Sequence, residues 1–180
     1  MRNGPGPWRS VRSTTGVSAR AAASWRLVAR IAARRGLRFV LDTSGAALRA
    51  ALARGGITLV KPSLGELEHL LGRCLQDPAE QDACAMDLVR RGAARFVAVT
   101  LGGEGALLAT RDGVLRLPAI GVPVHSSVGA GDAFLAATTL ALARGAPPLE
   151  ALAWGTAAGA TAIACAGTAR LRRADVAARY

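Results

Sequence analysis

The residues of this chain best placed to do chemistry stand in one run, Ser126-Ser127-Val128-Gly129-Ala130-Gly131-Asp132-Ala133-Phe134. Two glycines flank an alanine, an aspartate follows, and apolar residues recur at Phe134, Leu135, Ala137, Leu140 and Ala141 toward Arg144. This pattern predicts a tight loop opening a helix. The N–H groups of a first helical turn lack partners within the helix and carry partial positive charge, so they attract anions. Glycine lets the main chain approach a bound group without a Cβ in the way. An aspartate in that turn can take a proton from a substrate hydroxyl, and the chemistry suggested is phosphoryl transfer. The same four residues, Gly129 to Asp132, are also what a plain turn with a dipole-matched acid would show. They lack the third glycine of a dinucleotide-binding fingerprint.

Such a loop needs a scaffold, and composition bounds what that scaffold is. The chain has 180 residues, enough for one domain with a sizeable core, and 51% are hydrophobic. Aromatic residues make up only 4%, so the core is built of small aliphatic groups. The formal charge of +11 invites a nucleic-acid reading, but its distribution argues against one. Arginines without any acid fill the chain up to Leu41, whereas bases and acids nearly balance from Asp42 onward. No basic stripe interleaved with aromatics follows, so neither a nucleic-acid nor a membrane partner is expected. Cys74, Cys84, Cys165, His69 and His125 match no zinc or iron ligand spacing. Free cysteines suit a reducing cytoplasm. Residues 151–169 carry no charge but are rich in Ala, Gly and Thr, which reads as a tightly packed buried helix and not a membrane span.

Residues 1–22 carry Gly, Pro, Ser, Thr and Arg without periodicity and read as an irregular, disordered segment. An acid-free, Arg- and Ser-rich start also resembles an organelle transit peptide, but high arginine use runs through the whole chain, and no apolar run of signal-peptide length stands near Met1. Over residues 23–180 strand and helix alternate. Helices are expected at 25–35, with Leu27, Val28 and Ile31 on one face, and at 46–54, 63–73 and 78–91. Buried strands are expected at 37–41, 57–60 and 96–101. A hairpin is expected at 106–110 and 114–117 around Arg111-Asp112-Gly113. Two long helices at 130–144 and 149–164 and a short one from Arg173 complete the chain. Apolar strands alternating with helices imply a mostly parallel sheet covered by helices, with ligands beyond the carboxyl ends of the strands.

The polar and glycine positions fall at those ends, and four loops are expected to converge on one cleft: Asp42, Lys61-Pro62-Ser63, Thr100 to Gly105, and Gly129 to Asp132. Each has a structural alternative. Ser63 and Glu66 have the spacing of a capping box. Lys61, the chain's one lysine, could be a solvated strand-end charge, Gly102, Gly103 and Gly105 could turn a hairpin, and Asp42 could cap the following helix.

Taken together, Asp42-Thr43-Ser44-Gly45, Val60-Lys61-Pro62-Ser63-Leu64-Gly65-Glu66-Leu67, Val99-Thr100-Leu101-Gly102-Gly103-Glu104-Gly105-Ala106 and Ser127-Val128-Gly129-Ala130-Gly131-Asp132 resemble the ribokinase-like (PfkB) carbohydrate kinases in order and spacing. The Asp-x-Ser-Gly and Lys-Pro stretches are most similar to the minor, PfkB-type 6-phosphofructokinase branch. The resemblance covers residues 25–180. It implies a three-layer αβα ribokinase-like fold and ATP-dependent phosphorylation of a sugar or sugar-phosphate hydroxyl, with a fructose 6-phosphate-like acceptor. By the same resemblance Asp132 is the catalytic base, and Gly129, Ala130 and Gly131 form the anion hole. Lys61, Ser63, Thr100, Gly102 and Gly105 fall in the ATP site. Glu66 organises Mg²⁺ through water, and Ser126, Val128, Ala162, Cys165 and Gly167 surround a monovalent-cation (K⁺) site.

Two departures accompany the resemblance. Ser63 replaces the asparagine of the family's Asn-x-x-Glu motif. The chain also corresponds to the nucleotide-binding, C-terminal half of a longer family domain, so it is expected to be N-terminally truncated and to lack the sugar-binding residues and lid. The partners expected are ATP and a sugar phosphate, with a homo-oligomer or a missing N-terminal half as protein partner. Two functions remain open: an impaired sugar kinase, and a non-catalytic nucleotide-binding remnant or partner-dependent fragment.

Overall fold

The computed structural model describes residues 8–12, 19–165 and 171–180. They fall into two compact units, one running to Val99 and including Leu108–Val114, the other comprising Thr100–Leu107 and Leu115–Tyr180.

In the first unit strands and helices alternate: β1 (Trp8–Arg12), α1 (Ala19–Arg34), β2 (Arg38–Asp42), α2 (Gly45–Arg54), β3 (Ile57–Val60), α3 (Leu64–Leu71), α4 (Pro78–Arg90) and β4 (Ala94–Thr100). The strands β1 to β4 pair in parallel, in sequence order. β5 (Ala106–Thr110) and β6 (Gly113–Leu117) complete a six-stranded order β1-β2-β3-β4-β5-β6. The expected parallel neighbours 37–41, 57–60 and 96–101 are therefore neighbours; 57–60 keeps its expected bounds and the other two differ by one or two residues. Their apolar runs have the reason given by burial: Val40, Leu41, Leu59, Val60, Val97, Ala98 and Val99 are all at most 2% exposed. A parallel strand covered on both faces has no solvated side on which to place polar residues. Each fully buried Leu or Val contributes roughly 1.5–3 kcal/mol relative to an exposed one.

Two expectations are corrected here. The first 22 residues are not irregular throughout, because Trp8–Arg12 pairs with β2 from Trp8↔Arg38 to Arg12↔Asp42, and α1 begins at Ala19. Main-chain pairing along a strand edge needs no apolar period, which is why WRSVR gave no strand signal. Nor does α1 bury the Leu27–Ile31 stripe: Leu27 and Ile31 are exposed, and the alanines Ala29 and Ala32 are buried instead. Small residues allow close helix packing, and α1 packs on β2 and α2.

Helix ends in this unit follow the sequence signals. Ser63 N-caps α3 in a complete capping box, and Gly72 closes the helix in the left-handed region. Asp77 caps α4 through Ala79 N–H at 2.8 Å, with Pro78 in the first turn. The intervening loop is pinned by buried Leu75, whose N–H donates to Glu68 Oε1 (2.8 Å) and whose carbonyl accepts from Gln81 Nε2 (2.9 Å).

The second unit is dominated by α5 (Ala130–Ala143) and α6 (Pro148–Ile163), followed by α7 (Arg173–Ala177). The two long helices approach closely because α6 presents glycine: a Cβ on Gly155 would stand 2.1 Å from Thr138 Oγ1 and 3.1 Å from the Phe134 ring. Thr138 is fully buried and donates to the Phe134 carbonyl at 2.8 Å. Thr161 is likewise buried and donates to the Ala157 carbonyl at 2.7 Å. The Trp154 and Tyr180 rings stack with centroids 4.6 Å apart, fastening the C-terminal turn to α6. An open groove of about 510 Å³ lies among α5, α6 and α7, lined by alanines with Leu140, Trp154 and Val176. No helix among the described residues is long and apolar enough to cross a membrane.

Candidate active site

Asp42 closes β2 and Lys61 follows β3 directly. The register pairs Leu41 with Val60, so the next residues along, Asp42 and Lys61, stand side by side. Lys61 N–H donates to the Leu41 carbonyl at 3.3 Å, carrying the ladder one step beyond β3. The Lys61 ammonium lies 3.4 Å from Asp42 Oδ1, with the side chains 7% and 24% exposed. A buried ammonium is costly unless a counter-charge and hydrogen bonds compensate it, and Asp42 supplies the charge. Lys61 is therefore not a solvated strand-end charge. Asp42 does not cap α2 either: the N-cap is Ser44, which makes no side-chain capping bond.

Two residues farther on, Ser63 and Glu66 form the reciprocal cap that their spacing indicated. Ser63 N–H donates to Glu66 Oε2 (2.8 Å), and Glu66 N–H donates to Ser63 Oγ (3.3 Å). Lys61, Ser63 and Glu66 are thus fixed within one turn of α3, with Asp42 beside them. Glu66 is partly exposed. With one oxygen held by the cap, its carboxylate suits a contact to a metal-bound water better than direct multidentate ligation.

In the second unit Thr100 leads into a 3-10 turn at Gly102–Glu104. Leu101 N–H donates to the Gly105 carbonyl at 2.8 Å, which folds the segment back on itself. Gly105 has φ +106, and a Cβ there would lie 2.1 Å from the Leu117 carbonyl oxygen. Only glycine fits, because both the dihedral and the neighbouring main chain exclude a side chain.

The loop before α5 is held by main chain. His125 and Ser126 N–H both donate to the Ile163 carbonyl, at 2.9 and 3.3 Å, at the last residue of α6. Ser126 Oγ accepts from Val128 N–H at 3.2 Å. Gly129 is the N-cap of α5 with φ +81, and no side chain caps the helix. Ala130, Gly131 and Asp132 form the first turn, and Asp132 is exposed. An anion there would meet first-turn N–H groups and the positive end of the helix dipole.

The Ile163 contacts tie the loop at His125 and Ser126 to the end of α6, within two residues in sequence of Ala162 and Cys165. Ser126 Oγ and the Ala162 carbonyl each accept one hydrogen bond, from Val128 N–H and Cys165 N–H. Each retains a second lone pair, and oxygen acceptors suit hard cations better than transition metals. Gly167 lies outside the described residues. Among those described, no group of three His, Cys, Asp or Glu side chains could hold a metal ion. The one group the motifs did not single out for a role is Asp42 as the partner of Lys61. Its signal was there in the sequence, where Asp42 and Lys61 each directly follow an expected strand, 37–41 and 57–60.

The pfkB family carbohydrate kinase model matches residues 11–174. The ATP-dependent 6-phosphofructokinase isozyme 2 of Mycobacterium tuberculosis is 42% identical over 156 residues, covering 87% of this chain and 45% of that protein. The 1-phosphofructokinase of Xanthomonas campestris is 42% identical over 130 residues, covering 71% and 41%. The crystal structure of phosphofructokinase-2 from Escherichia coli in complex with potassium matches with a TM-score of 0.85 at 35% identity, over 96% of this chain and 55% of that one. The chain spans about half the length of the relatives it matches. With its parallel sheet and Gly-Ala-Gly-Asp helix start, the chain belongs to the pfkB family of carbohydrate kinases and has their ribokinase-like αβα fold.

Proposed function

We propose that residues 23–180 are the nucleotide-binding half of a sugar kinase that transfers the ATP γ-phosphoryl to a hydroxyl of a fructose phosphate. The observation that carries this reading is the start of α5, where Asp132 follows a left-handed Gly129 N-cap with no capping side chain. Asp132 accepts the proton of the attacking hydroxyl, and the 129–131 amides stabilise charge on the transferred group. Lys61 meets phosphate oxygens, Ser63 orders the start of α3, and the Thr100–Gly105 turn offers main chain to the nucleotide. Mg²⁺, when bound, neutralises phosphate charge, and Glu66 would hold it through water. Ser126, Val128, Ala162 and Cys165 would surround a potassium ion, a reading supported by the potassium complex of the E. coli neighbour. The phosphofructokinase names of the relatives support a fructose phosphate acceptor, and their 6- and 1-phosphate types define the panel to test.

The second reading is a chain that binds nucleotide without turning over alone, favoured by its coverage of only 45% of its M. tuberculosis relative. Phosphoryl transfer needs the acceptor held in line, and loss of positioning groups removes many orders of magnitude in rate. ATP-to-ADP conversion, measured with fructose 6-phosphate, fructose 1-phosphate and unphosphorylated sugars, separates the two. Turnover that falls about 10²–10⁴-fold in Asp132→Asn, with ATP affinity nearly unchanged, supports the kinase. Tight nucleotide binding without turnover supports the second reading, and no nucleotide binding by folded chain refutes both.

A further inference from the structure

The Asp42–Lys61 pair, a buried lysine with a half-buried aspartate, goes beyond the roles assigned above. Lys61 is the chain's only lysine, among 22 arginines, and it sits 6% exposed at the carboxyl end of a parallel strand. An ammonium on a flexible four-carbon stem has many rotamers, and ordering it against a phosphate would carry a large entropic cost. Here three features remove that freedom in advance. The main chain of Lys61 is bonded to Leu41, the stem is buried, and Asp42 Oδ1 lies 3.4 Å from Nζ. Asp42 is itself placed by the strand register. An ammonium has three donors, so it can keep a carboxylate partner while presenting another N–H to an incoming anion.

We propose that Asp42 is a positioning residue for nucleotide binding: it holds the Lys61 ammonium, pre-ordered, for a phosphate oxygen. This rests on the nucleotide reading of Lys61 given above. The single lysine provides the test, because ¹³Cε/¹⁵Nζ-lysine labelling of the full chain gives one side-chain signal. Mg·ATP is titrated against it, with adenosine as the phosphate-free control followed through backbone amides. In the unaltered chain Mg·ATP moves the lysine signal and adenosine does not. In Asp42→Asn the Mg·ATP concentration for half-shift rises at least tenfold, while adenosine affinity stays the same. In a Lys61→Met background, Asp42→Asn has no further effect on ATP affinity read from the amides. Because Asp42→Asn strands a buried cation and can unfold the chain, Asp42→Glu is measured too; it keeps the charge, moves the carboxylate by one methylene and raises the half-shift concentration severalfold. If both variants bind Mg·ATP like the unaltered chain, or if Asp42→Asn weakens binding equally without Lys61, the positioning role is overturned while the nucleotide reading stands. If Mg·ATP leaves the lysine signal of the unaltered chain unmoved, the nucleotide reading of Lys61 falls, and the positioning role with it.

Discussion

Gly155→Ala tests whether the α5–α6 contact is as tight as its glycine implies. In an isolated helix the change would be favourable by about 1 kcal/mol, since alanine restricts the unfolded chain and suits the helix. Here the new Cβ meets Thr138 Oγ1 at 2.1 Å and the Phe134 ring at 3.1 Å. Thr138 cannot swing aside freely, because it is fully buried and its hydroxyl donates to the Phe134 carbonyl. Rotating it forfeits about 1 kcal/mol of hydrogen bond, and overpacking adds about 1–3 kcal/mol. Against the helix-propensity gain, the net expectation is a loss of about 1–3 kcal/mol, or about 2–4 °C in melting temperature per kcal/mol for a chain of this length. Urea unfolding followed by circular dichroism measures it. The double variant Thr138→Ala/Gly155→Ala removes the obstructing hydroxyl and should regain part of the loss, the coupling expected of residues in contact. A Gly155→Ala chain as stable as the parent, or a double variant no better than the single, would refute the packing argument.

Gly105→Ala should cost more, since the obstruction at Leu117 and Pro118 is main chain and φ is +106; we expect at least about 2 kcal/mol by the same unfolding measurement, and weaker nucleotide binding. Ser63→Ala should lose about 1 kcal/mol by breaking the capping box, whereas Ser63→Asn, another good N-cap, should retain most of that stability. The groove beside Leu140 is lined mainly by apolar side chains, and apolar surface of this kind favours association. Size-exclusion chromatography at high micromolar concentration should show species larger than a monomer, and Leu140→Glu should shift them toward monomer. A monomeric parent would refute this.

What the sequence determined by itself is what local physics encodes. The continuous apolar runs at β2, β3 and β4 fixed buried parallel strands, because such runs have no solvated face. Ser63 with Glu66 and Gly129 with Asp132 fixed helix starts, because caps and turns depend on a few adjacent residues. The order of the glycine and polar motifs along the chain was enough for the family. Tertiary structure alone decided matters that depend on which elements meet. WRSVR became a strand because β2 offered it a main-chain edge, and α1 buried alanines instead of Leu27 and Ile31 because close packing favours small residues. The loop carrying Ser126 came to the end of α6 through two N–H groups on the Ile163 carbonyl, bonds between main-chain atoms that no residue type announces. Asp42 and Lys61 are 19 residues apart in sequence, and only the register of two parallel strands made them an ion pair.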